Sequence, residues 1–177
     1  MTRFLARRAL MTLMLASVVG GLCSGRLAAA ELAKPTGSVI LTIRGDITQS
    51  NGPDNTALFD LALLDELPQS SFVTTTIWTK GKLKFSGVSL RALLDAVGAK
   101  GTKLRLIALN DYSVEMPVTD AIVGGPILAS RLDGRILAVR DKGPLWLVYP
   151  YDDNSAYRSE VIYSRSVWQL KAIEVIP

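Results

Sequence analysis

The chain has 177 residues, with 20 lysines and arginines against 16 aspartates and glutamates, one cysteine and no histidine. Arg3, Arg7, Arg8 and Arg26 precede Glu31 with no acidic residue among them, so residues 31–177 carry 16 of each sign and are formally neutral; the basic balance of the whole chain is no ground for a nucleic-acid or anionic-membrane partner. With no imidazole anywhere and no thiol beyond Cys23, those residues exclude a Ser-His-Asp triad, a Cys nucleophile, a disulfide, a His/Cys zinc site and a His-ligated haem.

Residues 1–30 read as a cleavable signal peptide: a positive n-region, the apolar run "ALMTLMLASVVGGL", and Ala28-Ala29-Ala30 as an A-x-A cleavage site before Glu31. The run is too short and wrongly flanked for a membrane span. Leu22 before Cys23 is a poor match to a lipoprotein site, and Arg7-Arg8 followed by Ala-Leu-Met is only loosely a twin-arginine signal. The expectation is an exported, periplasmic protein with no membrane insertion after cleavage. Residues 31–177 are expected to form a single domain, long enough and rich enough in Val, Ile and Leu for a core without staples.

Ser38 to Arg44, "SVILTIR", has the β-branched content of a strand, ended by Gly45-Asp46. "ALFDLALLDEL" from Thr56 onward predicts a helix stopped at Pro68. "FVTTTIWT" predicts a strand. Lys80, Lys82 and Lys84 then fall at period two, on one face if extended, as a lysine-guarded sheet edge or an anion-facing patch. Ser89 to Gly98 is the clearest helix, with Ser89 as N-cap, Leu90, Leu93, Leu94 and Val97 as its apolar face, and Gly98 as terminator. "KLRLIAL" is a strand, and "NDYSVEMPV" is a turn leading into an extended segment. Asp133-Gly134, between two apolar runs, is a hairpin signal. "PLWLVYP" and "WQLKAIEVI" are late strands joined by a polar loop, "YDDNSAYRSEVIYSR". The sum is a β-rich α+β fold with two main helices.

Taken in order, "FSGVSLRALLDAVGA" (Phe85 to Ala99), "NDYSVEMPVTDA" (Asn110 to Ala121), "LDGRIL" (Leu132 to Leu137), "KGPLWLVYP" (Lys142 to Pro150) and "SRSVWQLKAIEV" (Ser164 to Val175) resemble the molybdopterin-binding oxidoreductase domain typified by sulfite oxidase and its bacterial relatives. The ordered set carries the likeness; no single piece is specific. It spans nearly all of residues 31–177, as a compact secreted form without the family's dimerisation and haem domains.

The resemblance implies the sulfite oxidase-like fold, a molybdopterin cofactor and oxygen-transfer chemistry at its metal. Tyr112, five residues before Pro117, matches the tyrosine that family members keep near the metal, as a proton donor or hydrogen-bonding group. Arg165 and Ser166 match the first two residues of an "R-S-V-K-W-L" that grips the pterin phosphate, but the family's lysine is Trp168 here. Threonines stand in "FVTTTIWT" where the family places its molybdenum-ligating cysteine. A threonine hydroxyl is a poor substitute for a soft thiolate, so no metal ligand is assigned.

Thr76, Trp78, Thr79 and Asn110 complete the expected cofactor-contacting set. Trp78-Thr79, with Trp146 and Trp168, is expected to floor a pocket for a flat ring. The competing roles are plain: aromatic "KGPLWLVYP" as core strand, Arg165 in a salt bridge to Asp152 or Asp153, Asp152-Asp153-Asn154 as a polar turn rather than a cation loop, and Asn110-Asp111-Tyr112 as a turn.

Two functional readings follow. One is a periplasmic molybdopterin-binding oxidoreductase-like protein with oxygen transfer at the metal, against which the missing cysteine weighs. The other is a non-catalytic module that binds a small molecule or a periplasmic or membrane protein, such as an accessory of a membrane signalling protein.

Overall fold

The computed structural model describes residues 31–177; the signal-peptide reading, Cys23 and the Arg7-Arg8 pair lie outside the described residues. The fold is α+β and strand-rich. Its elements, in chain order, are β1 (Leu41–Gly45), β2 (Ala57–Phe59), α1 (Leu61–Glu66), β3 (Gln69–Thr74), β4 (Leu83–Ser89), α2 (Leu90–Val97), β5 (Lys103–Ala108), β6 (Ser113–Pro117), β7 (Ile127–Leu132), β8 (Arg135–Ile136), β9 (Trp146–Val148), α3 (Glu160–Arg165) and β10 (Leu170–Ile176). No helix among the described residues is long and apolar enough to cross a membrane.

Two sheets enclose the core. One runs β2-β1-β10-β5-β6 and the other β3-β4-β7-β8, with β9 also pairing with β7. β1 and β10 pair in parallel, Thr42 opposite Ala172 through Gly45 opposite Val175, which brings the first and last strands together. The other pairings are antiparallel. Alternation along β5 buries Leu104, Leu106 and Ala108 and leaves Lys103 and Arg105 outward, the half-buried pattern expected of an antiparallel strand. A Trp146–Trp168 bridge ties the end of one sheet to the approach of the other.

α2 follows the sequence closely. Ser89 Oγ accepts from the Ala92 N–H at 3.0 Å, and Gly98 (φ 59°) closes the helix in the left-handed region that favours glycine. Leu90, Leu93, Leu94 and Val97 are all buried in the common core. The Asp133-Gly134 hairpin also forms: φ values of 49° and 78° are those of a two-residue turn that matches strand twist.

Four expectations are corrected. The helix expected from Thr56 begins only at Leu61, because Ala57 and Phe59 are buried at period two as β2. An apolar run this dense satisfies both periodicities, and Asp60, whose Oδ1 accepts from the Leu63 N–H at 2.8 Å, makes the helix start there. The strand expected through Thr79 stops at Thr74, where Asp152 takes over the polar groups of Thr75. The lysine row does not form a strand edge: Gly81 (φ 71°) turns the chain between Lys80 and Lys82, only Lys84 lies in β4, and β4 is flanked by β3 and β7. The polar loop after Pro150 contains a 3-10 turn, Ser155–Tyr157, and α3, capped by Ser159, whose Oγ accepts from the Ile162 N–H.

Gly87 marks the closest approach of β4 to β7. A Cβ at this position would lie 2.0 Å from the Leu128 carbonyl oxygen and 2.9 Å from Ala129 Cα, both backbone atoms that cannot swing away. Gly87→Ala is therefore expected to destabilise the fold by about 2–3 kcal/mol or more, the cost of overpacking a site that cannot relax, read as a lowered urea midpoint at unchanged slope.

Candidate functional site

The site grows from two segments far apart in sequence. Trp146, Leu147, Val148, Tyr149 and Tyr151 are all buried, since this run crosses the interior as β9 and its extension. α3 then carries Tyr163 and Arg165 and hands the chain to Ser166, Val167 and Trp168. The two segments lock through buried polar atoms. Trp146 Nε1 donates to the Ser166 carbonyl at 3.2 Å. The Tyr151 hydroxyl donates to Ser166 Oγ at 2.6 Å, and Ser166 Oγ donates in turn to the Ile162 carbonyl at 2.8 Å. Burial pushes the Tyr151 phenol up to about 12, against the opposing pull of the Ser166 hydrogen bond.

The third wall is Trp78, delivered by the turn after β3. Asp152 anchors that turn. Its Oδ2 accepts from the Thr75 N–H at 3.0 Å and its Oδ1 from the Thr75 hydroxyl at 2.7 Å and from Arg158 at 2.8 Å, while its own N–H donates to Thr74 Oγ1 at 3.1 Å. The Thr75 hydroxyl and amide, with Arg158, hold the Asp152 carboxyl below the usual carboxylate range. Thr76 and Thr79 share a 2.8 Å hydroxyl–hydroxyl bond, and Thr76 Oγ1 accepts from the Trp78 N–H at 3.1 Å. Trp78 then meets Trp168 at 5.6 Å, Tyr163 at 5.7 Å, Trp146 at 5.8 Å and Tyr151 at 6.4 Å between centroids, each edge-to-face. Such pairs are worth about 0.5–1.5 kcal/mol each beyond area burial.

Three of these rings, Trp78, Tyr163 and Trp168, bound a cavity of about 320 Å³, lined also by Ala108, Asn110, Tyr112, Ser164, Ser166 and Val167. That volume suits a small molecule. Tyr112 stands at the rim, nearly half exposed, and its hydroxyl donates to the Ser164 carbonyl at 3.2 Å. Asn110 Oδ1 accepts from the Tyr112 N–H at 3.2 Å and fixes the turn that carries both.

Of the residues singled out from sequence, Trp78, Asn110, Tyr112, Ser166 and Trp168 meet on this cavity; Trp146 packs edge-to-face on Trp78 and Trp168 but does not line the cavity, so the expected floor of three tryptophans is reduced to two. Arg165, Thr76 and Thr79 do not line it. The two threonines shape the turn behind Trp78, and Ser166 spends its hydroxyl on Tyr151 and Ile162.

Arg165 is paired, but with Asp120 rather than Asp152 or Asp153. Its Nη1 donates to Asp120 Oδ2 at 2.9 Å, and the Tyr149 hydroxyl donates to the same oxygen at 2.9 Å. Burial first, then the Asp120 charge, pushes the Tyr149 phenol far above its ordinary value. Asp152 is occupied by Arg158 instead. Tyr163 was hidden in what reads as polar loop; the available signal was Ser159 ahead of Glu160, an N-cap followed by an acidic first turn.

A molybdopterin brings an anionic phosphate and holds its metal through sulfur, and the resemblance adds a cysteine ligand. None of the residues lining the cavity is charged or bears a thiol, and Arg165 is committed to Asp120. Among the described residues no three His, Cys, Asp or Glu side chains group as a metal site. This donor set does not fit that cofactor.

No protein-family model matches the chain, and no curated protein matches it.

Two outcomes are expected. Ser166→Ala orphans the buried Tyr151 hydroxyl and should cost about 1–3 kcal/mol, more than Tyr151→Phe, which leaves Ser166 bonded to Ile162; chemical denaturation of both variants checks the order. Asp152 and Asp60, the latter lowered first by the Leu63 N–H and then by Gly37, titrate lower folded than unfolded. Their stabilisation is complete above an unfolded value of about 3.9 and is lost as pH falls through the folded values. Asp152→Asn should therefore flatten the decline in thermal midpoint below about pH 4.

Proposed function

We propose that this protein is an exported, non-catalytic binding module on a sulfite oxidase-like scaffold, acting in the periplasm and taking a small molecule in the aromatic cavity. The observation that carries the reading is the wall itself: Trp78, Tyr112, Tyr163 and Trp168 converge on one cavity whose only polar side chains are neutral. That is the composition of a small-molecule site, mostly apolar with a few placed polar groups. The cation that the resemblance assigns to a phosphate is neutralised within the chain by Asp120. The ordered motifs from Phe85 to Val175 support the scaffold, and a scaffold does not bring its activity with it. A bound state would be readable by a periplasmic or membrane partner, since Tyr112 and Trp168 lie at the surface.

The oxidoreductase is the alternative. It rests on Tyr112 and Asn110 standing beside Trp78 on the same cavity, and Tyr112 would be its proton donor.

Elemental mass spectrometry of the protein purified from its own cell separates the two. The binding-module reading expects molybdenum far below one atom per chain and flat aromatic compounds that quench tryptophan emission. In Trp168→Ala the quenching should weaken about tenfold in affinity, the loss of roughly one stacking wall, with the far-ultraviolet spectrum unchanged. One molybdenum per chain with oxidisable pterin in the same sample would overturn it.

A further inference from the structure

The cavity wall is apolar, and three of its unused polar groups can only donate, while the Tyr163 hydroxyl, also without a partner among the described residues, can donate or accept. The Trp78 and Trp168 indole N–H groups and the Asn110 amide N–H have no hydrogen-bond partner among the described residues; Trp78 donates only through its backbone, and Asn110 uses only its oxygen. None is a sealed orphan, so water serves them in the free protein. A ligand that fills the cavity displaces that water and must accept hydrogen bonds in its place, because a donor left dry loses a bond with nothing returned.

A charge of the matching sign stands beside the Trp168 wall. Lys142, half-buried, places Nζ 5.5 Å from the Trp168 ring centre and 5.8 Å from that of Trp146, and it forms no ion pair among the described residues. Its backbone is held in place, the Lys142 carbonyl accepting from the Gln169 N–H at 3.0 Å. No carboxylate lines the cavity, so a cationic guest would meet a like charge across Trp168 and gain no counter-ion. Asp120 is taken by Arg165 and Tyr149, and Asp111 by Lys171 at 2.6 Å, while Glu160, exposed at the start of α3, forms no ion pair among the described residues and does not line the cavity.

We propose that the cavity takes a planar apolar carboxylate, its flat body against Trp78, Trp168 and Tyr163 and its carboxylate received by the indole and Asn110 N–H donors within the field of Lys142. This rests on the small-molecule reading above and names its ligand class. Neutral rings contact a flat body without regard to its charge; the donors and the ammonium select the anion, and charge-assisted bonds to a carboxylate are the stronger kind.

The test is calorimetric titration of the protein with three matched probes: 2-naphthoate, 2-naphthamide and 2-naphthylmethylammonium. The expected order is carboxylate tightest, by about tenfold over the amide, with the cation weakest. Lys142→Gln should weaken naphthoate by about tenfold and leave the amide within about twofold; separately, Asn110→Asp on its exposed turn, which removes a donor and adds a like charge, should weaken naphthoate by about tenfold more than it weakens the amide. Asn110→Asp retains the oxygen that accepts from Tyr112, so the turn keeps its shape. Equal binding of carboxylate and amide, tightest binding of the cation, or an anion preference that survives both variants would overturn the ligand class and leave the aromatic cavity standing as a site. No binding of any probe at about 1 mM by protein with a native spectrum would overturn the small-molecule reading as well.

Discussion

The Asp152 carboxylate receives the amide and hydroxyl of Thr75 and the guanidinium of Arg158, while its own N–H is received by Thr74, and on this knot the aromatic site depends. It ends β3 by offering the backbone a better partner than another strand, and it turns the following residues so that Trp78 swings in among Trp146, Tyr151, Tyr163 and Trp168. The cost of closing so long a loop is met by burial across both sheets rather than by the knot itself. What the knot adds is direction. Without it, the turn carrying Trp78 keeps only local hydrogen bonds, Thr76 to Thr79 and the Trp78 N–H to Thr76 Oγ1, to hold its shape.

The second polar cluster, Tyr149–Asp120–Arg165, shows the same economy of charge. A guanidinium partly withdrawn from water gains from a partner, and removing one member of the pair leaves the other without its counter-charge. Asp120 meets that need from a 3-10 turn, Val118–Asp120, directly after β6. Tyr149 shares the same oxygen, so the pair is fixed from two sides. The Arg165 charge is absorbed into the fold, and the cavity is left to neutral rings and N–H donors.

Local signals with a single solution were legible. Ser89 to Gly98 carries a cap, an apolar face at helical spacing and a left-handed terminator, and each agrees with the others. Asp133-Gly134 needs no tertiary help, because both residues tolerate positive φ and the flanking runs alternate. Ala57 to Phe59 was ambiguous: its apolar residues fit either period, and only pairing with β1 decided for a strand. α3, six residues long, is too short to declare itself by periodicity and depends on burying Ile162 against the core.

The sequence by itself determined the strand-rich α+β class, the clearest helix and hairpin, the aromatic candidates Trp78, Tyr112, Trp146 and Trp168, and the chemistry that residues 31–177 lack, because composition, caps and turn residues act within a few positions of themselves. The tertiary structure alone decided which polar groups cancel. Arg165 found Asp120 rather than Asp152, Ser166 was consumed by Tyr151, and Lys142 came to rest on Trp168, since partner choice among distant charged and hydroxyl groups is set by the packing of the two sheets. The same packing made one cavity wall from residues 78, 110, 112, 163 and 168. No spacing in the chain encodes that distance.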